Sequence, residues 1–373
     1  MEKVKLKIAL VILILALLSL TFVTLRYQGF LIKNNNQEIK IGFIGPLTGF
    51  GTAWGFEQQN AMVLAVNEIN SEGGIDGSKI NVIYEDGKCE GEESVTAAQK
   101  LINVDDVNIL TTICSSSSLA VAPIAEKNRI LELAIWTTNP SLTNSGDYIF
   151  RQSYSDEDIA KTMADSLSKY ERVGLITEIN DYSIGIRDAF KKNFNNKIIE
   201  ENVAPESRDV RAQVLKVINE NPDAILVNPN SIATGLEILD QLKELGYNGK
   251  LYGNYFGDSS EVQLSSSAQG MIFFADPVIS NNAVSQHLFS EYEKTYGREP
   301  DFKFAVAAQY DSVYIIKKAI ESVGNDPTKI KDYLYEMDSF TGALGTYHFD
   351  KNGDIVGLKP VIKQIKNKEA VLI

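Results

Sequence analysis

Short apolar runs of five or six residues alternate with longer segments of helical pattern along most of this chain, and that alternation restricts its fold more than any other feature. Ile109 to Ile113 and Ile130 to Ile135 are two such runs, without the strict polar alternation of a half-exposed strand. A strand that is apolar on both faces must be covered on both, which parallel sheets flanked by helices provide. Lys40 to Ile44, Lys79 to Tyr84, Arg172 to Ile176, Lys197 to Asn202, Ala224 to Val227 and Leu251-Tyr252 read as further strands. Helices are expected between them, among them Thr52 to Asn70, stopped by Gly73-Gly74, then Val95 to Ile102, Asp156 to Tyr170 and Ala233 to Leu245. The pattern restarts near Phe150 to Tyr154, so the chain reads as two successive α/β units of similar size. Residues 285–323 return to long helices, and Tyr347 to Lys363 reads as a strand pair around Asn352-Gly353.

In an open sheet of this type the loops leaving the carboxyl ends of adjacent strands meet at one crevice, where ligands bind. Cys114-Ser115-Ser116-Ser117-Ser118 and Trp136-Thr137-Thr138-Asn139-Pro140 are two such loops in succession. Ser117 or Ser118 is the expected N-cap of a helix from Leu119 to Asn128. Hydroxyls and free N–H groups at a helix start suit an anion such as a carboxylate. Serine and threonine also cap helices with no ligand present, and either reading fits a single residue.

Lys3, Lys5 and Lys7 precede an uncharged run from Ile8 to Leu25, the arrangement of an export leader. No small-x-small cleavage site or lipid-accepting cysteine follows it, so an uncleaved signal anchor over residues 8–25 is expected ahead of a removed signal peptide, with Asn34 to Gln37 as a tether. Lysines on the cytoplasmic side would leave the remainder facing outward. Beyond residue 38 the chain carries 31 basic and 47 acidic residues, a charge balance that argues against nucleic-acid or anionic-lipid binding. The exported part holds two cysteines, Cys89 and Cys114, better suited to a disulfide than to a metal site, which needs more ligands. A bridge between them contributes on the order of 3 kcal/mol by chain entropy.

Gly49-Phe50-Gly51-Thr52-Ala53-Trp54-Gly55 approaches a dinucleotide fingerprint, but its third glycine is one place late and Trp54 stands where a pyrophosphate should pass. An aromatic there suits a wall against an apolar ligand part. Neither His287 nor His348 has partner spacing for a base or a metal ligand, and no nucleophile elbow, phosphate loop or zinc motif occurs. No enzymatic activity, cofactor or metal is expected.

Ile44-Gly45-Pro46-Leu47-Thr48-Gly49, the stretch from Asn67 to Gly77, Cys114-Ser115-Ser116-Ser117, Thr138-Asn139-Pro140-Ser141-Leu142-Thr143 and Tyr310-Asp311 resemble the leucine/isoleucine/valine-binding family. These are extracytoplasmic solute receptors of ABC importers. The resemblance covers about residues 39–365 and is densest in the first 155. It implies two doubly wound parallel-sheet lobes of the type I periplasmic binding protein fold, joined by a three-strand hinge. Lobe 1 is expected over 39–154 plus 278–345 and lobe 2 over 155–277 plus 346–373. It also implies pairing of Cys89 with Cys114, and ABC permease subunits as partners. A membrane-anchored sensor of the same fold is the alternative, which neighbouring genes for permease and ATPase subunits would disfavour.

Position by position, the resemblance assigns Ser115 and Thr138 to a ligand carboxylate, and the backbone around Trp136 and Thr138 to an ammonium. Trp54, Tyr182 and Tyr310 match aromatics around the ligand side chain. One departure stands out: family receptors for amino acids place an acid just after the strand equivalent to Leu251-Tyr252, and Tyr255 occupies that place here. Asp258 replaces it only if the loop runs differently. Asn230 likewise stands near a position that is aromatic in the leucine receptors. A buried ammonium without a carboxylate costs several kcal/mol. Amino acids, amides and simple or aromatic carboxylic acids are all open as ligands.

Overall fold

The computed structural model describes residues 38–373. The expected anchor and tether lie outside these residues. Among the described residues no helix is long and apolar enough to cross a membrane.

The first half alternates as the sequence pattern requires: β1 (Ile39–Gly45), α1 (Thr52–Ser71), β2 (Ile80–Asp86), α2 (Gly91–Asn103), β3 (Ile109–Ile113), α3 (Ser115–Asn128), β4 (Leu131–Ile135) and β5 (Ile149–Gln152). These strands form one sheet in the order β2-β1-β3-β4-β5, every pair parallel. β3 and β4 are buried along their whole length, which is why both read as uninterrupted apolar runs.

The second unit contains α4 (Asp156–Leu167), β6 (Arg172–Glu178), α5 (Asp181–Asn193), β7 (Lys197–Val203), α6 (Arg211–Asn219), β8 (Ala224–Asn228), α7 (Ile232–Glu244), β9 (Lys250–Gly253), the short α8 (Ser260–Leu264) and β10 (Ile272–Ala275). Helix α4 starts where Ser155 accepts a hydrogen bond from the Glu157 N–H, with Asp156, Glu157 and Asp158 in a first turn that favours acids. In this sheet the parallel strands repeat the first order, β10-β9-β8-β6-β7. Each sheet thus reverses its winding next to its first strand, leaving a crevice at the carboxyl ends there.

After β10 the chain returns to the first sheet. Helices α9 (Ala283–Tyr296), α10 (Lys303–Val323) and α11 (Pro327–Glu336) follow, and α10 packs on α1 and β4. A small antiparallel sheet of β11 (Phe340–Gly342), β12 (Gly345–Phe349) and β13 (Ile355–Val356) lies against β5. Then β14 (Val361–Lys366) and β15 (Glu369–Leu372) add antiparallel to β10 in the second sheet.

Two expectations need correction here. Residues 346–356, assigned to the second lobe, remain with the first: Phe349 packs on Phe150 at 5.1 Å and the Arg151 N–H donates to the Gly353 carbonyl. The strand expected to pair around Asn352-Gly353 is also split, since only β12 and β13 pair there and β14 joins β10. A turn signal such as Asn-Gly marks where a chain reverses and does not specify which sheet receives it.

Candidate functional site

The loops after β3 and β4 meet at the crevice of the first sheet. Both leave their strands through a residue in the left-handed region, Cys114 at φ 77° and Trp136 at φ 50°. Such backbone is uncommon for non-glycine residues and is maintained by its surroundings, often at functional sites. The disulfide between Cys114 and Cys89 is one such support, with Cα atoms 5.5 Å apart.

Helix α3 begins at Ser115, with Cys114 in the N-cap position, so neither Ser117 nor Ser118 caps it. Helical phase divides the serine run instead. Ser115 and Ser116 line a cavity, whereas Ser117 bonds to Ser94 at 2.7 Å, and Ser118 bonds to Thr112 at 2.8 Å and Thr137 at 2.7 Å. The Ser115 hydroxyl accepts from the Asn139 N–H at 3.4 Å, which leaves its own proton to donate. The first N–H groups of α3 have no carbonyl within the helix to bond, so this end of the cavity is electropositive.

Thr138 lines the same cavity, 3% exposed, and its hydroxyl donates to Asp156 at 2.8 Å. That proton is therefore committed, and Thr138 offers a ligand its hydroxyl oxygen and its backbone N–H. Its carbonyl and that of Asn139 each accept from the Arg151 guanidinium at 2.8 Å. Arg151 is buried, 1% exposed, and bonds Asp354 at 2.7 Å.

Aromatic rings enclose the remainder. Trp54 meets Trp136 edge to face at 6.3 Å, Trp136 meets Tyr255 at 5.2 Å, and Tyr255 meets Tyr182 at 5.3 Å. Trp54, in the first turn of α1, and Trp136, after β4, come from the first unit; Tyr182, in the first turn of α5, and Tyr255, after β9, come from the second, and Asn230 joins them. Phe302, which precedes α10, packs on both tryptophans, at 5.9 Å and 5.7 Å. A second cavity of about 590 Å³ lies beyond Trp136 and Tyr255 and is lined by Asp258, Asp276 and Lys363 among others.

Six of the eight residues expected to contact a ligand, Ser115, Thr138, Trp54, Trp136, Tyr182 and Tyr255, thus line one cavity. Two do not. Tyr310 lies against the C-terminal end of α1, where its hydroxyl and that of Tyr314 donate to Glu68 at 2.5 Å and 2.6 Å. The phase of α10 turns position 310 toward α1, so Tyr310 does not line this cavity. Asp258 lines only the second cavity and forms an ion pair with Lys363 at 2.7 Å, so its charge is already matched.

Asp276, Tyr154 and Phe302 escaped the sequence reading. Asp276 follows β10 directly, a place where functional side chains collect, but that four-residue strand was not recognised in the sequence. Its carboxylate accepts from Tyr154 Oη at 2.7 Å and Trp136 Nε1 at 3.2 Å. Burial pushes the Asp276 carboxyl up to about 6, partly opposed by those two hydrogen bonds, and burial raises Asp156 to about 7.

Two parallel sheets of like winding, with an aromatic-walled cavity between their strand ends and a helix N-terminus at one side of it, define a bilobal solute-binding protein. A family model described as periplasmic binding protein matches residues 38–360. The chain belongs to that family. It is 25% identical over 330 residues to the leucine-, isoleucine-, valine-, threonine- and alanine-binding protein of Pseudomonas aeruginosa, covering 86% of this chain and 87% of that one. Among solved structures it is similar to a leucine binding protein from Thermotoga maritima, at a TM-score of 0.81 and 26% identity, covering 90% and 97% of the two chains. A branched-chain amino acid transporter substrate binding protein from Streptococcus pneumoniae, in complex with isoleucine, gives 0.79 at 26% identity, covering 90% and 99%.

Proposed function

We propose that this protein is an extracytoplasmic receptor of an ABC importer and holds a small carboxylate-bearing solute of the branched-chain amino-acid type between two lobes. The lobes would comprise residues 39–154 with 278–356, and 155–277 with 357–373. Closure over the solute would present both lobes to a permease, so that the loaded form is the one delivered.

The observation that carries this reading is the polarity of the cavity. One end offers the Ser115 hydroxyl and the free N–H groups of α3, and the other is walled by Trp54, Trp136, Tyr182 and Tyr255. A carboxylate attached to a hydrocarbon side chain matches both ends. Thr138 would add its backbone N–H to the carboxylate, and the backbone near Trp136 would face the solute's polar head. The amino acids for which the Pseudomonas relative is named and the isoleucine in the Streptococcus structure belong to the same chemical class.

Thermal unfolding of the full-length chain with leucine, isoleucine, valine and their 2-oxo acids tests the reading. A ligand at a thousand times its dissociation constant stabilises by about 4 kcal/mol, which moves the transition visibly. Ser115→Ala should weaken binding of whichever compound shifts the transition by roughly tenfold or more, the value of one hydrogen bond to a charged group. Unchanged affinity in that variant would remove the carboxylate from this end of the cavity.

A further inference from the structure

Asp276 stands at the carboxyl end of β10, in the crevice where the two sheets face each other. Its Oδ1 accepts both Tyr154 Oη and Trp136 Nε1, and those two side chains line the Ser115 cavity. The carboxylate is thus held rigidly at the boundary between that cavity and the second one. The nearby cations are occupied elsewhere: Lys363 bonds both oxygens of Asp258, at 2.7 Å and 2.9 Å, and Arg151 bonds Asp354 and two carbonyls. Among the described residues Asp276 has no salt-bridge partner.

Two buried atoms beside the cavity lack a hydrogen-bond partner among the described residues. Asp156 is fully buried; its Oδ2 accepts from Thr138, and its Oδ1 has no partner among the described residues. Trp54, 4% exposed in the cavity wall, has its indole Nε1 buried without an acceptor. Buried polar groups are nearly always paired, and these two of the ten orphans among the described residues lie beside the cavity, where a ligand can complete them. The set is mixed, with an indole donor and the Ser115 end for an anion, and acceptors for a cation. Burial raises both carboxyls, to about 6 for Asp276 and about 7 for Asp156, and the charges of Lys363 and Arg151 offset it only in part.

We infer that Asp276 is the counter-charge for an ammonium group on the solute, which makes the ligand an amino-acid zwitterion and not a simple carboxylic acid. The inference rests on the preceding reading that the Ser115 end takes a carboxylate. Tyr255 fills the place after β9 where the resemblance implies an acid, and Asp276 meets the same need from the end of the neighbouring strand. Because the Thr138 hydroxyl donates to Asp156, its oxygen is left as an acceptor that would suit the same ammonium.

Calorimetric titration of the full-length chain and its Asp276→Asn variant tests this with leucine, isoleucine and valine, their 2-oxo acids, and 5-aminopentanoate. The asparagine keeps an oxygen for Tyr154 and Trp136 and removes only the charge. Losing one side of a buried charge pair costs roughly 2 kcal/mol or more, so branched-chain amino-acid binding should fall by at least about 30-fold. Binding of a 2-oxo acid should stay within about threefold. If the natural chain prefers 5-aminopentanoate and the variant loses it, Asp276 still carries the ammonium, now at the far end of the ligand in the second cavity. Equal loss for amino acids and 2-oxo acids would make Asp276 a merely structural residue and overturn the inference, while the carboxylate site survives. A natural chain that binds the 2-oxo acids better than the amino acids overturns it as well. Binding of none of these probes overturns both readings.

Discussion

Glu132 lies in the middle of β4, fully buried, with one oxygen accepting from Thr112 at 2.6 Å and the other without a partner among the described residues. Burial pushes its carboxyl up to about 8, so it carries a proton at neutral pH. The folded value lies above the unfolded one, so the stability it contributes is complete below the ordinary glutamate range and is lost as pH rises through about 8. One group of this kind gives a slope of at most about 1.4 kcal/mol per pH unit. Thermal unfolding of Glu132→Gln between acidic and mildly alkaline pH should therefore show a shallower decline than the natural chain and a higher melting temperature at the alkaline end. Identical slopes would mean that Glu132 ionises in the folded state at no cost. Glu132 interrupts the apolar run Ile130 to Ile135, and its partner, Thr112, comes from β3 and was not legible along the chain. Ser115 and Ser118 illustrate the same limit. They are of one residue type, three apart, and helical phase turns one to the cavity and the other into a hydroxyl network.

Elements were more legible than their ends. Strands β1 to β4 fall within a residue or two of the runs that announced them, and in β3 and β4 complete burial leaves no polar alternation to confuse the reading. Short elements were missed. β10 and β15 have four residues each, and such runs carry too little pattern to be distinguished from a loop. The disulfide acts at this scale, tying the loop after β2 to the N-terminus of α3. Replacing both Cys89 and Cys114 by serine should cost on the order of 3 kcal/mol and lower the melting temperature by several degrees. Ligand affinity should fall with it, since Cys114 directs Ser115 into the cavity. A variant with unchanged melting temperature and affinity would show that α3 is held in place without the bridge.

At the scale of the whole molecule, Arg151 joins parts of the chain that local pattern could not connect. Its guanidinium holds the carbonyls of Thr138 and Asn139 and pairs with Asp354, in the segment from which the chain leaves for the second sheet. Arg151→Met removes the guanidinium from Asp354 and two carbonyls, each of which keeps one other donor, and breaking a buried pair from one side costs roughly 3–5 kcal/mol. Denaturant unfolding should show that loss, with weaker solute binding wherever the variant stays folded; a loss below about 1 kcal/mol would mean that water replaces the guanidinium. Composition, strand and helix periodicity and the two polar loops were enough to determine a two-unit parallel α/β protein with a carboxylate-friendly crevice. These signals are short-range, set by side-chain alternation and helix starts within a few residues. Tertiary structure alone decided that Tyr310 turns to Glu68, that Lys363 neutralises Asp258, and that Asp276 reaches Trp136 and Tyr154. Each of those outcomes depends on which strand lies beside which and on the phase of a packed helix, and both are settled by burial between segments more than a hundred residues apart.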